Sequence, residues 1–297
     1  MLSVYDLTSS AWVILALAGL LIGVAKTALP GLATIAVAMF AAVLPAKEST
    51  AVMLLLLLVG DLLAVWAYRH DVDWKALRSL VPPVFVGLIA GAVVLDHISD
   101  NGMRKMIGII LLTLTGITLV LMANGKRKDR AAALGENPTV QDDVALETAE
   151  LADVLAETED SDSEESTEAS RAATSSAKFA RNPVARWIYG FIGSFTTMVA
   201  NSGGPPMTMY FLASGFDMVR FLGTQAWFFF IVNIAKLPFQ ATLGLHSAHS
   251  LATDLLLLPT VLVGAALGRW LVGRMNAAVF NPLIIALTVL SSVYLLF

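Results

Sequence analysis

The chain has 297 residues, of which 57% are hydrophobic and 14% are charged, with a formal net charge of −4 and no cysteine. Soluble domains carry about 25% charged residues, so this chain has too little polar surface for a water-soluble enzyme of its length. Without cysteine there can be no disulfide, thiolate metal site or thiol nucleophile, and four histidines leave little for a histidine-based site. We find no catalytic motif, and we expect a membrane protein that is not an enzyme and has no catalytic residues, metal or cofactor.

Ten apolar segments are the candidate membrane helices. They are Ala11–Ala25, Leu32–Leu44, Ala51–Tyr68, Leu80–Leu95, Met106–Met122, Trp187–Ala200, Met207–Gly215, Phe221–Leu243, Leu251–Val272 and Val279–Phe297. A helix needs about 20 residues to cross a bilayer, so in each half only the last three segments are long enough. Short pairs interrupted by Gly and Pro are typical of broken or re-entrant helices. No Lys or Arg precedes Lys26, so we expect the first segment to stay in the mature protein.

A polar gap over residues 124–186 separates the two halves. It holds fourteen of the twenty-three acidic residues and eight of the nineteen Lys and Arg, so the rest of the chain is slightly basic. Such a stretch buries too little apolar area to offset its ordering entropy. We therefore predict a membrane repeat over residues 1–123, an acidic, disordered cytoplasmic linker over 124–186 and a second membrane repeat over 187–297.

The two halves share a pattern of glycine, proline and threonine. The matched features are Pro82 with Pro259, Gly87 with Gly264, Gly91 with Gly268, Thr50 with Thr224, and the break Ala28–Gly31 with Gly203–Pro206. Three matches in register predict two copies of one unit. Both Gly-xxx-Gly patterns allow close approach of helix backbones.

The charge distribution favours one orientation of these copies. With the linker in the cytoplasm and five segments in each half, fourteen Lys and Arg lie inside, three lie outside, and Lys26 and Lys236 lie in the membrane. An odd number of segments makes the repeats inverted. If each short pair is one crossing, the repeats are parallel, which the charge count disfavours. We predict an all-α polytopic membrane protein with two inverted repeats, each with a broken or re-entrant pair plus three transmembrane helices, giving eight to ten segments.

Lys26, Lys236 and Asp61 are charged residues that lie in or directly beside apolar segments. Lys or Arg at a bilayer centre costs roughly 2.5–3.5 kcal/mol, so each needs a reason. Lys26, four residues before Pro30, is either an anion ligand or a lysine reaching the membrane surface. Lys236 is a substrate ligand or part of an ion pair. Asp61 is a proton carrier or the ion-pair partner of one of these lysines.

The segment Asn201–Pro206 breaks the second short pair. Two glycines and two prolines free backbone N–H groups, and the next half-helix directs its positive end at the break. The alternative is an ordinary turn between helices. Asn233 lies three residues before Lys236 on one helical face. The candidate substrate-binding residues are Lys26, Thr27, Pro30, Thr196, Thr197, Asn201, Ser202, Gly203, Gly204, Gln225, Asn233 and Lys236.

At these positions the chain resembles the sulfite exporter TauE/SafE family of prokaryotic membrane transporters. The stretches that carry the resemblance are residues 25–31, residues 60–61 with 68–74, and residues 195–205 with 223–238. The long acidic linker departs from the family pattern. The resemblance implies ion-coupled export or uptake of sulfur-containing anions, small organosulfonates or related carboxylates.

We therefore predict a secondary transporter for a small anion, working by alternating access in the prokaryotic inner membrane. Its expected partners are the anion, a coupled proton or sodium ion and the lipid bilayer, with homo-oligomers allowed and no nucleic acid. An anion channel lined by the same residues is the alternative, followed by a carrier for small carboxylates and, far less favoured, a membrane-embedded enzyme.

Overall fold

The structure, a computed structural model, describes residues 7–113, except 100, 104, 108 and 111–112, and residues 182–275. The described residues among 101–113 are helical, and eight further helices are described in full: α1 Ser9–Thr27, α2 Leu32–Val43, α3 Ala46–Tyr68, α4 Trp74–His97, α5 Pro183–Ala200, α6 Gly204–Ala213, α7 Met218–Thr242 and α8 Ala248–Val272. Each matches one predicted segment. The segments Met106–Met122 and Val279–Phe297 lie largely or wholly outside the described residues, and so does most of the predicted linker.

The helix lengths separate crossing helices from partial ones. Among the described residues, α1, α3, α4, α7 and α8 are long and apolar enough to cross a membrane. By contrast, α2 has 12 residues and α6 has 10, which correspond to about 18 and 15 Å, well short of an apolar core about 30 Å thick. The chain is an all-α membrane protein, and each half begins with a helix followed by a short returning one.

Local sequence explains where several helices begin. The side chain of Asn182 accepts hydrogen bonds from the amides of Val184 and Ala185, and Pro183 opens α5 with a preset φ angle. Helix α5 thus starts inside the range predicted for the linker. Asp73 caps α4 in the same way and also contacts Arg220 at the start of α7. Burial raises the pKa of Asp73, but the Ala76 amide and Arg220 outweigh it and hold the pKa below its ordinary value.

The predicted Gly-xxx-Gly patterns form two equivalent contacts between the halves. In the α4–α5 seam, Gly87 packs on Phe191 and Ser194, and Gly91 packs on Phe195 and Met198. A Cβ atom at either glycine would overlap these neighbours, so only glycine permits this approach.

The α1–α8 seam repeats this geometry on the other side of the molecule. Gly264 packs on Leu20, and Gly268 packs on Val24 and Thr27. Contacts advance along both chains together, so the helices of each seam are parallel. Each seam joins the first helix of one half to the fourth described helix of the other, as expected for two copies of one unit.

The equivalent helices α3 and α7 run in opposite directions. Asp61 contacts Asn233 in the middle of both helices, whereas the backbone at Asp71, just after α3, meets Gly223 near the start of α7. Antiparallel equivalents are consistent with inverted repeats. The same packing gathers the basic residues predicted on the cytoplasmic side at one end, where Arg220 meets Asp73 and Arg269 lies over Trp66.

Candidate functional site

The first helix break carries a buried ion pair. Helix α1 ends at Thr27, and Lys26 in its last turn places its ammonium group 2.7 Å from Asp61 Oδ1. The Asp61 side chain is fully buried and that of Lys26 is 10% exposed. A Cβ atom at Gly60 would lie 2.9 Å from Lys26 Cγ, so the glycine gives the lysine room to reach Asp61. Of the alternatives for Asp61, the structure pairs it with Lys26.

The second break is built around one residue in a left-handed conformation. Asn201, at φ 50°, ends α5, and its amide group donates to the carbonyl of Thr50 at 3.0 Å. Asparagine is among the few residues that tolerate this backbone region. The second break is thereby hydrogen-bonded to the first part of α3, which belongs to the other repeat.

Prolines limit the amide donors at this break. Pro205 and Pro206 lack an N–H group, so the free donors at the start of α6 are the amides of Gly203 and Gly204, which make no hydrogen bond to described residues. Pro30 of the first break faces Gly204, since a Cβ atom there would lie 3.7 Å from the Pro30 carbonyl oxygen. The two breaks therefore meet at one place.

Lys236 is fully buried and is held by neutral oxygen atoms. Its ammonium group donates to the Thr197 carbonyl at 2.8 Å, to Asn201 Oδ1, and to Asn233 Oδ1 at 3.3 Å. The amide group of Asn233 in turn donates to Asp61 Oδ2 at 2.6 Å. One polar network thus runs from Lys26 through Asp61 and Asn233 to Lys236 and links both repeats.

A cavity of about 500 Å³, including its opening, lies beside this network. Eight of the predicted residues line it: Lys26, Pro30, Asp61, Thr197, Asn201, Gly204, Gln225 and Asn233. The Gln225 side chain donates to Thr208 at 3.4 Å, and its Oε1 atom has no partner among the described residues. The cavity therefore offers an ammonium group and free polar atoms at the meeting point of the two breaks.

The other five predicted residues lie outside the cavity lining. Thr27 donates to the carbonyls of Gly23 and Ala265 in the α1–α8 seam, and Thr196 donates to the Ile192 carbonyl in its own helix. Gly203 packs under Gly193 and Thr197. The Ser202 hydroxyl is buried with no hydrogen-bond partner among the described residues. Lys236 does not line the cavity itself but contacts Asn201 and Asn233, which do.

Six apolar residues that sequence reasoning did not single out as site residues also line the cavity: Ala25, Ala33, Leu57, Leu222, Ala226 and Phe229. Phe229 lies under the ammonium group of Lys26, 4.5 Å from nitrogen to ring centroid. Phe229 therefore faces the site. The sequence could have indicated this position, because Phe229 lies four residues before Asn233 and so shares its helix face.

Comparisons with known proteins give one match. No curated protein and no solved structure matches the chain. The sequence pattern of the family described as Sulfite exporter TauE/SafE matches residues 15–295, which is nearly the whole chain. The chain therefore belongs to the sulfite exporter TauE/SafE family.

Proposed function

We propose that the protein is a secondary transporter that exports a small sulfur-containing anion, such as sulfite or an organosulfonate. Its family is described by the name of a sulfite exporter. We place it in the prokaryotic inner membrane with the acidic linker in the cytoplasm. The substrate lies in the cavity between the two breaks, and the repeats rock around it to open that cavity to either side in turn.

The observation that carries this proposal is a fully buried lysine beside the cavity, Lys236, that makes no ion pair with the described residues. Lys26 and Asp61 neutralise each other at 2.7 Å, whereas the hydrogen-bond acceptors of Lys236 are neutral carbonyl and amide oxygens. An isolated charge in a membrane interior is costly, and an anion in the adjacent cavity lowers that cost. Judged from the described residues, the site therefore favours a ligand with a net charge of about −1.

The residues have separate roles in this proposal. The ammonium group of Lys26 and the amide of Gly204 supply hydrogen bonds to the anion, since both residues line the cavity. Lys236 attracts the anion electrostatically without touching it, and its hydrogen bonds fix the positions of Asn201 and Asn233. Asp61 acts as the counter-ion of Lys26.

Flux in proteoliposomes tests the proposal. We expect sulfite to exchange across vesicles that contain the purified protein, with saturation at high concentration, and taurine, whose ammonium and sulfonate charges cancel, to exchange more slowly. A unit charge roughly 8 Å from the anion contributes about 2 kcal/mol at an effective dielectric constant of about 20. Lys236→Met should therefore weaken anion binding roughly 30-fold.

A lysine outside the site provides the control. Lys75 is exposed at the start of α4, and Lys75→Met should leave flux unchanged. Equal flux in the wild type and Lys236→Met, with both monodisperse in detergent, would contradict the site. Current without saturation in a planar bilayer would instead favour a channel, and exchange of carboxylates alone would change the substrate class.

A further inference from the structure

One buried acidic residue away from the cavity has no partner among the described residues. Asp254 lies in α8, about 9 Å along the helix from its first residue. It is 4% exposed, whereas its neighbours Leu255 and Leu256 are each 57% exposed. Neither carboxyl oxygen has a hydrogen-bond partner among the described residues. An unpaired carboxylate is costly in an apolar interior, so this packing favours the neutral, protonated form of the group.

Among the described residues, no positive charge pairs with Asp254 to offset this cost. The titratable side chains on the helices packed against α8, and those that flank Asp254 along the chain, are Lys26, Lys47, Glu48, Asp61, Tyr68, His246, His249 and Arg269. None of them makes an ion pair or hydrogen bond with Asp254. Lys26, the charge on α1, is paired with Asp61.

The position of Asp254 places it between the two repeats. It lies three residues before Leu257, whose carbonyl oxygen would be 3.6 Å from a Cβ atom at Gly19 of α1. Residues three or four apart share a helix face, so Asp254 lies on the α8 face that forms the α1–α8 seam. Rocking of one repeat against the other must change this seam.

The second seam shows that packing alone does not require an acid. In the repeat register that matches Pro82 to Pro259, the equivalent of Asp254 is Leu77 of α4. Leu77 is 7% exposed and lies in the hydrophobic core. The same fold therefore places leucine at one seam and aspartate at the other.

We propose that Asp254 is the proton-binding site that couples proton movement to rocking of the repeats. The proton stabilises the closed α1–α8 seam, and its release requires the seam to open to water. Proton movement and anion transport are coupled because both ligands shift the equilibrium between the closed and the open α1–α8 seam. This inference rests on the proposed function, and it assigns the coupling proton to Asp254 instead of Asp61, which is held by Lys26 and Asn233.

The proton is tested first without any anion. Infrared spectra of the full chain in lipid vesicles at neutral pH should contain the C=O band of a protonated carboxyl group. Asp254→Asn should remove this band, and Asp96→Asn, which changes a 58% exposed side chain, should keep it. If the Asp254→Asn difference spectrum shows only a carboxylate band, the inference is wrong.

Transport then tests the coupling. We expect Asp254→Asn to lose the stimulation of anion exchange that a pH gradient gives the wild type. Asp254→Leu introduces the residue found at the equivalent position of the α4–α5 seam and should give the same result. Two different substitutions make it possible to recognise a folding defect that affects only one variant. An unchanged gradient response in both variants overturns the inference. A wild type that exchanges no anion contradicts the proposed function, and the infrared band still decides whether Asp254 binds the proton.

Discussion

The two helix breaks share a backbone plan and differ in charge. At the first break, Lys26 comes from the broken helix itself and meets a carboxylate, Asp61. At the second break, the cation is Lys236 from α7, and its partners are the neutral oxygens of Thr197, Asn201 and Asn233. A repeated fold thus supplies matching geometry, and a few side chains give the cation of one break a carboxylate partner and leave the cation of the other without one among the described residues. We expect stability to depend on the first break and anion affinity on the second.

The largest expected effect comes from removing the carboxylate at the first break. Asp61→Asn leaves Lys26 unpaired among buried groups, and breaking a buried ion pair from one side costs about 3–5 kcal/mol. The free energy of unfolding, measured by SDS titration, should fall by about that amount. The matched exposed change, Asp96→Asn, should alter it by less than about 0.5 kcal/mol.

A double variant separates pairing from loss of either residue. Because Lys26→Met with Asp61→Asn leaves no charge behind, it should cost less than the sum of the two single changes. Additive costs would mean that the two groups do not stabilise each other.

The next effect comes from making the second break resemble the first. Asn201→Asp places a carboxylate against Lys236, since Asn201 Oδ1 already accepts from that ammonium group. The charge of Lys236 is then paired, so anion binding should weaken by about 2 kcal/mol, or roughly 30-fold. Calorimetric titration with sulfite measures this change.

A second substitution at the same residue controls for backbone geometry. Asn201→Gly preserves the left-handed φ of 50° and removes the contact with Lys236 without adding charge. It should keep more affinity than Asn201→Asp. The reverse order would show that position and not charge governs binding.

Removing the neutral pair should have a smaller effect on affinity. The double variant Lys26→Met with Asp61→Asn loses one hydrogen-bond donor of the cavity and leaves the net charge unchanged. We expect a loss of about 1 kcal/mol, or roughly fivefold in Kd, by the same titration. A loss as large as that of Lys236→Met would place the anion at the first break instead.

The sequence predicted the framework better than the site. Gly and Pro positions gave the two breaks and the Gly-xxx-Gly contacts, because these residues fix backbone geometry wherever they occur. The spacing of Asn233 and Lys236 correctly placed both on one face. The partner of Asp61 remained open, because Lys26 and Lys236 lie in different helices and only tertiary packing decides between them.

The sequence also did not predict which polar side chains hydrogen-bond to their own helix instead of facing the cavity. Thr196 and Thr197 are adjacent polar residues before the same break, and sequence gives no reason to separate them. In the structure, Thr196 donates to Ile192 within α5, whereas Thr197 lines the cavity and presents its carbonyl to Lys236. Successive helical residues point about 100° apart, so one neighbour can face the site and the other cannot.

This adjacent pair gives the smallest and most local test of the second break. Thr197→Val replaces the hydroxyl of a cavity-lining residue with a methyl group of similar volume, and anion binding should weaken by about 0.5–1 kcal/mol. Thr196→Val removes a bond to the helix's own carbonyl, a weak contact that competes with backbone bonding, so affinity should not change. Titrations of both variants against the wild type measure the difference. Equal losses would mean that valine disturbs α5 itself, and a loss confined to Thr196 would move the anion to the other side of that helix.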